Sequence, residues 1–338
     1  MTVQASNLES EQLPDPTGHS EGDLAKIAGQ SPTRLAMGRF RKDKLSMVSF
    51  TVVALYILAA IAAPILVKLG VLDPFTFHQN LTDPSTGGLP IGKLGGVSWD
   101  HPLGVEPSTG RDVLSRLWYG LTFSLAIALS ATLIAIIVGA VLGIIAGFSG
   151  GWVDSIIGRV VDLTLSFPST LMLLALSSIG ITLVAQVVPG GFSDPLPNGV
   201  YVVVVLALFG WPGIARIIRG QVFSVREREF VDAAVLLGAS RYRIYFKEIL
   251  PNLWAPLLVT FTLTMPAYIS AEAALSYLGV GIKPPTPTLG NILRGSINYS
   301  SADFFFFFTP AFLIMIIVVS FNLLGDGIRD ALDPKSAR

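Results

Sequence analysis

The chain has 338 residues, of which 51% are hydrophobic and only 14% are charged, whereas a soluble domain carries about 25% charged residues. Its 23 Lys and Arg balance 23 Asp and Glu, which argues against a basic nucleic-acid-binding protein or an acidic disordered chain. Cys is absent and the three His are far apart in the sequence, which excludes disulfides, thiolate metal sites and cysteine nucleophiles. The composition favours a protein embedded in a lipid bilayer.

Six apolar stretches are long enough to cross a membrane, because a span needs about 20 mostly apolar residues. Unpaired backbone groups are costly in lipid, so each stretch should be helical. The fold class predicted is therefore an all-α polytopic membrane protein with six transmembrane helices. The stretches cover residues 45–67, 121–147, 163–188, 200–218, 253–271 and 304–324.

Lys and Arg are concentrated in alternate connecting segments, and short segments of this kind lie in the cytoplasm. Applied to this chain, the rule predicts that both termini are cytoplasmic. The first segment is rich in Ser, Pro, Gly and acids and should be disordered. The predicted regions are an N-terminal tail at 1–44, the first span at 45–67, an extracytoplasmic segment at 68–120, a core of five spans at 121–325 with a cytoplasmic loop at 223–252, and a C-terminal tail at 326–338.

The 223–252 loop has the pattern of two short helices joined by a turn. Gly238 can adopt the left-handed conformation that ends the first helix, Ser240 can cap the second, and Pro251 should end it. The first helix would have an apolar face with two small residues at its centre. Whether this element docks a partner or is simply a well-folded interfacial loop stays open on the pattern alone. The face consists of Phe230, Ala233, Ala234 and Leu237.

Two patterns in the chain resemble ligand-binding motifs without meeting their requirements. Residues 231–249 match the spacing of a DNA-reading helix-turn-helix, but the loop is short and its charges are mixed, so we expect no nucleic-acid binding. Residues 87–94 resemble a phosphate-binding loop, yet Leu94 replaces the Ser or Thr that binds Mg²⁺. We expect no catalytic residue, metal or nucleotide site in this chain.

Four residues in or near the spans are candidates for pathway or structural roles. Glu272 is the carboxylate expected at membrane depth, where such groups are paired or face a cavity. Pro168 and Pro266 interrupt predicted spans and permit bending. Asn322 lies in the last span.

Three glycines recur every four residues on the second predicted span, at Gly139, Gly143 and Gly147. A face made of small residues allows another helix to approach closely. We interpret this face as a site of helix packing within the chain.

Several separated motifs resemble those of one known family. DAAVLLG at 232–238 and ILPN at 249–252 are similar to the EAA loop of ABC importer permeases, although Asp232 stands where Glu is usual. Further stretches resemble the C-type permeases of dipeptide and oligopeptide ABC importers. These are HPLG at 101–104, GRDVLSR at 110–116, GGWVD at 150–154, EAALSYLGVG at 272–281 and NLLGDGIRDALDP at 322–334.

The resemblance implies a type I ABC importer permease fold and a prokaryotic cell membrane. It implies a B-type second permease, two ATPase subunits or domains that bind ATP and Mg, and an extracytoplasmic peptide-binding protein received partly by residues 71–117. The chain itself would be a non-enzymatic subunit that forms half of the pathway. The residues implied to contact the ATPase are Phe230, Val231, Asp232, Ala233, Ala234, Leu237, Gly238, Ala239 and Ser240.

The alternative function is an autonomous channel or an ion-coupled secondary transporter, which needs no ATPase. Such proteins usually carry more ionisable residues within their spans than this sequence does. An intramembrane protease would need a nucleophile with its base or a set of metal ligands, and no His falls in a predicted span.

Overall fold

A computed structural model of the chain describes residues 32–188 and 196–332. Most of the predicted N-terminal tail and the last residues of the predicted C-terminal tail lie outside these ranges. The described part is dominated by helices. Their bounds are α1 Pro32–Lys42, α2 Lys44–Lys68, α3 Val113–Ser149, α4 Gly151–Ser166, α5 Ser169–Ala175, α6 Ser177–Val187, α7 Leu196–Arg226, α8 Glu229–Leu236, α9 Arg241–Arg243, α10 Trp254–Tyr277, α11 Leu289–Ser296 and α12 Phe304–Leu332.

Within the described residues, five helical runs are long and apolar enough to cross a bilayer. This agrees with the all-α polytopic membrane fold expected from the apolar stretches. The five runs are α2, α3, α7, the run Arg241–Tyr277 that contains α9 and α10, and α12.

The third predicted span differs from the expectation of one continuous helix at 163–188. The chain instead bends by 73° between α4 and α5, and α6 follows as a separate short helix. The bend lies at Phe167 and Pro168, where Phe167 has an extended backbone with ψ 134°. Proline disfavours a helical conformation in the residue before it and has no N–H to donate. Counting α4 and α5 together as one bent span raises the number of spans to six.

The second correction concerns Pro251, which does not end the helix that begins at Arg241. The chain passes from α9 through a π-helical turn, Ile244–Ile249, and a 3-10 turn, Leu250–Leu253, directly into α10. Pro251 stands in the first turn of the 3-10 segment, where a missing N–H costs little. The fifth span accordingly starts earlier and ends later than residues 253–271.

Helices α3 and α7 share the most extensive contact among the described helices. Gly139, Gly143 and Gly147 all face α7, and a methyl group added at any of them would lie 2.8 Å from an atom of that helix. At Gly143 this atom is the carbonyl oxygen of Ala215. The three glycines therefore let the two backbones approach more closely than any larger side chain would permit.

Residues 69–112 form a small cap over one end of the bundle. The cap contains an antiparallel pair of two-residue strands, β1 (Thr82–Asp83) and β2 (Leu89–Pro90), and otherwise consists of turns and extended segments. At the start of α3, the Arg116 side chain donates hydrogen bonds to the carbonyl oxygens of Pro74, 3.1 Å away, and Pro285, 3.3 Å away. The cap is thus tied both to α3 and to the connection between α10 and α11.

The cap and the 223–252 loop lie at opposite ends of α3. The first turn of α3 contacts the cap, whereas its last residues bond to the loop through Gly147 and Ser149. A helix of 37 residues is about 55 Å long. We call these two parts of the molecule the cap end and the loop end.

Candidate functional site

The helix α8 is held at the loop end by one side of its surface. Val231 is 1% exposed and packs with Val225, Ile244 and Ile249 in a buried cluster. The rest of α8 and its C-cap residue Leu237 carry apolar side chains that no part of the described chain covers. Leu236 is 86% exposed and Leu237 is 88% exposed, and Phe230 and Val235 are partly exposed as well.

The turn after α8 depends on two residues that the sequence singled out. Gly238 has a φ of +75°, a conformation that residues with a side chain rarely adopt. The Ala239 N–H donates to the Ala234 carbonyl oxygen at 3.0 Å, which satisfies an otherwise unpaired group at the end of α8. Ser240 then begins α9, its hydroxyl oxygen accepting a hydrogen bond from the Arg243 N–H at 3.4 Å.

The apolar face predicted for α8 is only part of the uncovered surface. Ala233 is exposed and Ala234 is half-buried, so the small residues lie beside the larger exposed ones rather than alone at the centre. Sequence periodicity missed Val235 and Leu236. Val235, Leu236 and Leu237 form an apolar run of three, and successive residues of a helix cannot all face one core. That run was the signal for an uncovered surface.

Hydrogen bonds fix the 223–252 loop to the last turn of α3. The Arg226 side chain donates to the carbonyl oxygen of Gly147 at 3.0 Å, and its guanidinium lies 4.8 Å from the centre of the Phe223 ring. The hydroxyls of Ser149 and Tyr245 are 2.9 Å apart. These contacts attach the segments on either side of α8 to the last turn of α3.

A second set of contacts connects α7, which leads into the loop, with α4. The Arg219 guanidinium donates two hydrogen bonds to the Asp154 carboxylate, at 2.5 Å and 2.6 Å. Paired bonds of this kind fix orientation as well as distance. The helix before the bent span is in this way attached to the helix that carries the 223–252 loop.

Asp232 and Val231 were both predicted to contact the ATPase, but only Asp232 is exposed. The Asp232 side chain is exposed and lines a recess at the base of α8 together with Arg226 and Glu227. Val231 is buried, so its role in the loop is to attach α8 to the bundle rather than to touch a partner.

Glu272 lies at the cap-end part of α10 and is fully buried, with 0% exposure. One carboxylate oxygen accepts a hydrogen bond from the Ser276 hydroxyl at 2.7 Å, and that hydroxyl is 3.5 Å from the Thr288 hydroxyl. The other oxygen has no hydrogen-bond partner among the described residues. Glu272 thus belongs to a small polar network between α10 and the start of α11.

The other three pathway candidates are not gathered around Glu272. Pro266 is buried within α10, Pro168 lies at the bend between α4 and α5, and Asn322 is on α12, where its amide donates to the Val318 carbonyl oxygen at 2.9 Å. The structure therefore does not combine these four residues into one site.

Sequence reasoning missed a buried ionic cluster beneath the cap. Glu106 lies 2.7 Å from Arg111 and 3.4 Å from Arg116, measured between side-chain N and O atoms, and Arg116 is 2% exposed. The available signal was the pair of arginines entering an otherwise apolar span, since an arginine there needs an anionic partner. Across residues 32–188 and 196–332, no group of three or more His, Asp or Glu side chains is placed to hold a metal ion.

Two family descriptions match the chain. Residues 139–338 match the family described as "Binding-protein-dependent transport system inner membrane component". Residues 31–84 match the family described as "N-terminal TM domain of oligopeptide transport permease C". The first match covers more than half of the chain and includes the 223–252 loop.

Individual relatives are similar over nearly their whole length. The oligopeptide transport system permease protein OppC of Bacillus subtilis (strain 168) is 35% identical over 95% of this chain and 96% of its own. The dipeptide transport system permease protein DppC of Alkalihalophilus pseudofirmus is 35% identical over 90% of each chain. The glutathione transport system permease protein GsiD of Shigella flexneri is 36% identical over 88% of each chain.

These matches confirm the resemblance to C-type peptide permeases and the expectation of a non-catalytic subunit. They agree with the long apolar helices, which make the chain a multi-pass membrane protein. The chain therefore belongs to the family of binding-protein-dependent transport system inner membrane components, the permease subunits of ABC transporters.

Proposed function

We propose that this chain is one of the two permease subunits of an ATP-driven importer of dipeptides and oligopeptides in a prokaryotic cell membrane. The names of the relatives, which are oligopeptide and dipeptide permeases, support this substrate class. The partners are a B-type second permease, two ATPase subunits or domains that bind ATP and Mg, and an extracytoplasmic peptide-binding protein. The chain forms half of the translocation pathway, within membrane lipid.

The uncovered surface of α8 is the main support for a role in coupling the ATPase to the membrane spans. Leu236 and Leu237 are almost fully exposed at the loop end, and a contiguous apolar surface of this kind marks a site of protein interaction. The ATPase is the partner that covers it. Asp232, exposed at the edge of this surface, adds a carboxylate that can pair with a basic group of that subunit.

The contacts at the base of α8 connect the 223–252 loop mechanically to the membrane spans. Arg226 and Tyr245 bind the last turn of α3, and the helical run Arg241–Tyr277 continues from the loop into α10. When the ATPases close on ATP, α8 moves with them and displaces these helices, which switches the pathway between the two sides of the membrane. A peptide that binds equally well to the outward-open and inward-open states cannot shift the equilibrium between them. ATP hydrolysis therefore has to drive the change of state.

The distribution of charge supports a cytoplasmic loop end with both termini inside and a cap outside. The loop end has several exposed basic side chains, and such residues favour the cytoplasm. The cap then faces the extracytoplasmic binding protein. The exposed basic residues of the loop end are Arg228, Arg241, Arg243 and Lys247.

A co-purification experiment tests this proposal. Burying one Leu side chain stabilises a contact by about 1.5–3 kcal/mol, so replacing both Leu236 and Leu237 by Gln should weaken ATPase retention at least ~tenfold. Lys247→Gln is the matched control, since it places the same residue at an exposed position of the same loop. The assembled importer with wild-type loop should take up labelled dipeptides only when ATP is supplied.

Two results would contradict the proposal. Full ATPase retention by the double Gln variant would remove α8 as the docking element. Transport by the purified chain alone, without ATPases or a second permease, would instead favour the autonomous channel or ion-coupled carrier.

A further inference from the structure

A pocket of about 280 Å³ lies at the cap end, between the end of α10 and helix α11. Small-molecule pockets begin at about 300 Å³, so this one holds a single end of a short peptide rather than a long chain. Its lining includes Ser276, Lys283, Asn291, Arg294 and Asn298. The family motifs do not account for it, since both of its cations lie beyond the 272–281 stretch.

This pocket contains two cationic side chains, Lys283 and Arg294. Among the described residues, neither Lys283 nor Arg294 forms an ion pair, although both line the same pocket. The Glu106 carboxylate is close by. One of its oxygens lies 3.9 Å from the position that a Cβ atom on Gly295 would occupy. It is already bound by the two buried arginines of the ionic cluster. The pocket therefore carries net positive charge.

The polar side chains of Ser276 and Asn291 in the pocket wall already donate hydrogen bonds within the chain. The Ser276 hydroxyl donates to Glu272, and the Asn291 side-chain amide donates to two backbone carbonyl oxygens at 2.8 Å and 3.0 Å. The Arg294 guanidinium lies against Gly279, where any side chain would overlap it. The long cationic side chains are thus the groups left to bind a ligand, and Gly279 makes room for one of them.

We propose that Lys283 and Arg294 bind the C-terminal carboxylate of the cargo peptide on its way into the membrane. An arginine binds a carboxylate through two parallel hydrogen bonds, and a lysine adds a second positive charge. The lining supplies two free cations and no free carboxylate, so it selects the carboxylate end of a peptide over its ammonium end. This inference rests on the proposed function, because it takes the peptide as cargo.

The natural absence of Cys from the chain permits a direct test in the assembled importer with cysteine-free partner subunits. Asn298→Cys places a single thiol in the pocket, and its reaction with an anionic and a cationic methanethiosulfonate reagent is timed. We expect the anionic reagent to react faster by roughly tenfold, as expected for a site that concentrates anions. Adding Lys283→Gln and Arg294→Gln should abolish this preference, whereas Lys93→Gln, an exposed cap cation outside the pocket, should not.

The second arm identifies the ligand. A dipeptide with a free C-terminus should slow the labelling of the cysteine, and the same dipeptide as its C-terminal amide should not. Equal protection by both peptides would overturn the proposal. Protection by neither peptide would overturn it too, since the pocket would then hold no peptide carboxylate.

Uptake measurements separate failure of this site from failure of the proposed function. With the pocket intact, ATP-driven uptake should favour the free dipeptide over its amide, and the Lys283→Gln, Arg294→Gln variant should reduce that preference. ATP-driven uptake by the variant with an unchanged preference would overturn the pocket alone. Absence of ATP-driven dipeptide uptake by the wild-type importer would overturn the proposed function.

Discussion

The two ends of the bundle differ in whether the chain itself covers their charged or apolar side chains. At the cap end, Glu106, Arg111 and Arg116 form a buried cluster in which the carboxylate pairs with both guanidinium groups. At the loop end, Leu236 and Leu237 are left uncovered. Groups that a chain satisfies by itself serve its fold, whereas apolar groups that it leaves uncovered serve an assembly. The buried cluster at the cap end thus serves the fold, and the uncovered leucines at the loop end are where we propose that a partner binds.

The largest expected effect comes from breaking the cap-end cluster. Glu106→Ala leaves two buried guanidinium groups without their carboxylate, and removing one partner of a buried pair costs about 3–5 kcal/mol. The free energy of unfolding should fall by that amount in detergent micelles. Arg216→Gln is the control, because it breaks an exposed pair with Asp162 that is worth about 0–1 kcal/mol. Equal losses in the two variants would refute the contrast between buried and exposed charges.

A smaller effect is expected at Glu272. Glu272→Leu removes the acceptor of the Ser276 hydroxyl, and a buried unsatisfied donor costs about 1–3 kcal/mol. Glu272→Gln keeps a carbonyl oxygen at this place and should be milder in both stability and peptide uptake. If both variants lose uptake completely and equally while remaining folded, the carboxylate is needed for its charge and not for hydrogen bonding.

The smallest effect on stability, with a large effect on transport, is expected at the loop end. Gly238→Val forces a β-branched residue into a left-handed conformation, which costs about 1–2 kcal/mol. The spans should remain inserted, while ATP hydrolysis is uncoupled from uptake or the ATPase is lost. Gly158→Ala is the control, since this helical glycine has no neighbouring atom within 4 Å of an added methyl group. Normal uptake by Gly238→Val would contradict the docking role of α8.

Local sequence patterns predicted those features that depend on a few adjacent residues. The spans follow from length and apolarity, which lipid demands of any crossing segment. The turn at Gly238 and the cap at Ser240 follow from the conformations and hydrogen bonds that these residue types favour. In each case the physical cause lies within one continuous stretch of the sequence.

Features that depend on distant residues could not be predicted in this way. Pro168 breaks its span while Pro266 remains inside a continuous helix, and the sequence treated them alike because packing decides between the two outcomes. The pocket with Lys283 and Arg294 is formed between the end of α10 and helix α11. The nearby Glu106 is far away in the sequence and is already paired with Arg111 and Arg116.

The π-helical turn at Ile244–Ile249 gives the run Arg241–Tyr277 an unusual property. An α-helix rotates by about 100° per residue. If this turn changed from π-helical to α-helical hydrogen bonding, α10 would therefore rotate about its own axis while remaining a helix. π-helical turns frequently occur at functional sites. Such a rotation would reorient Glu272 and the mouth of the pocket between α10 and α11 together, several helical turns away.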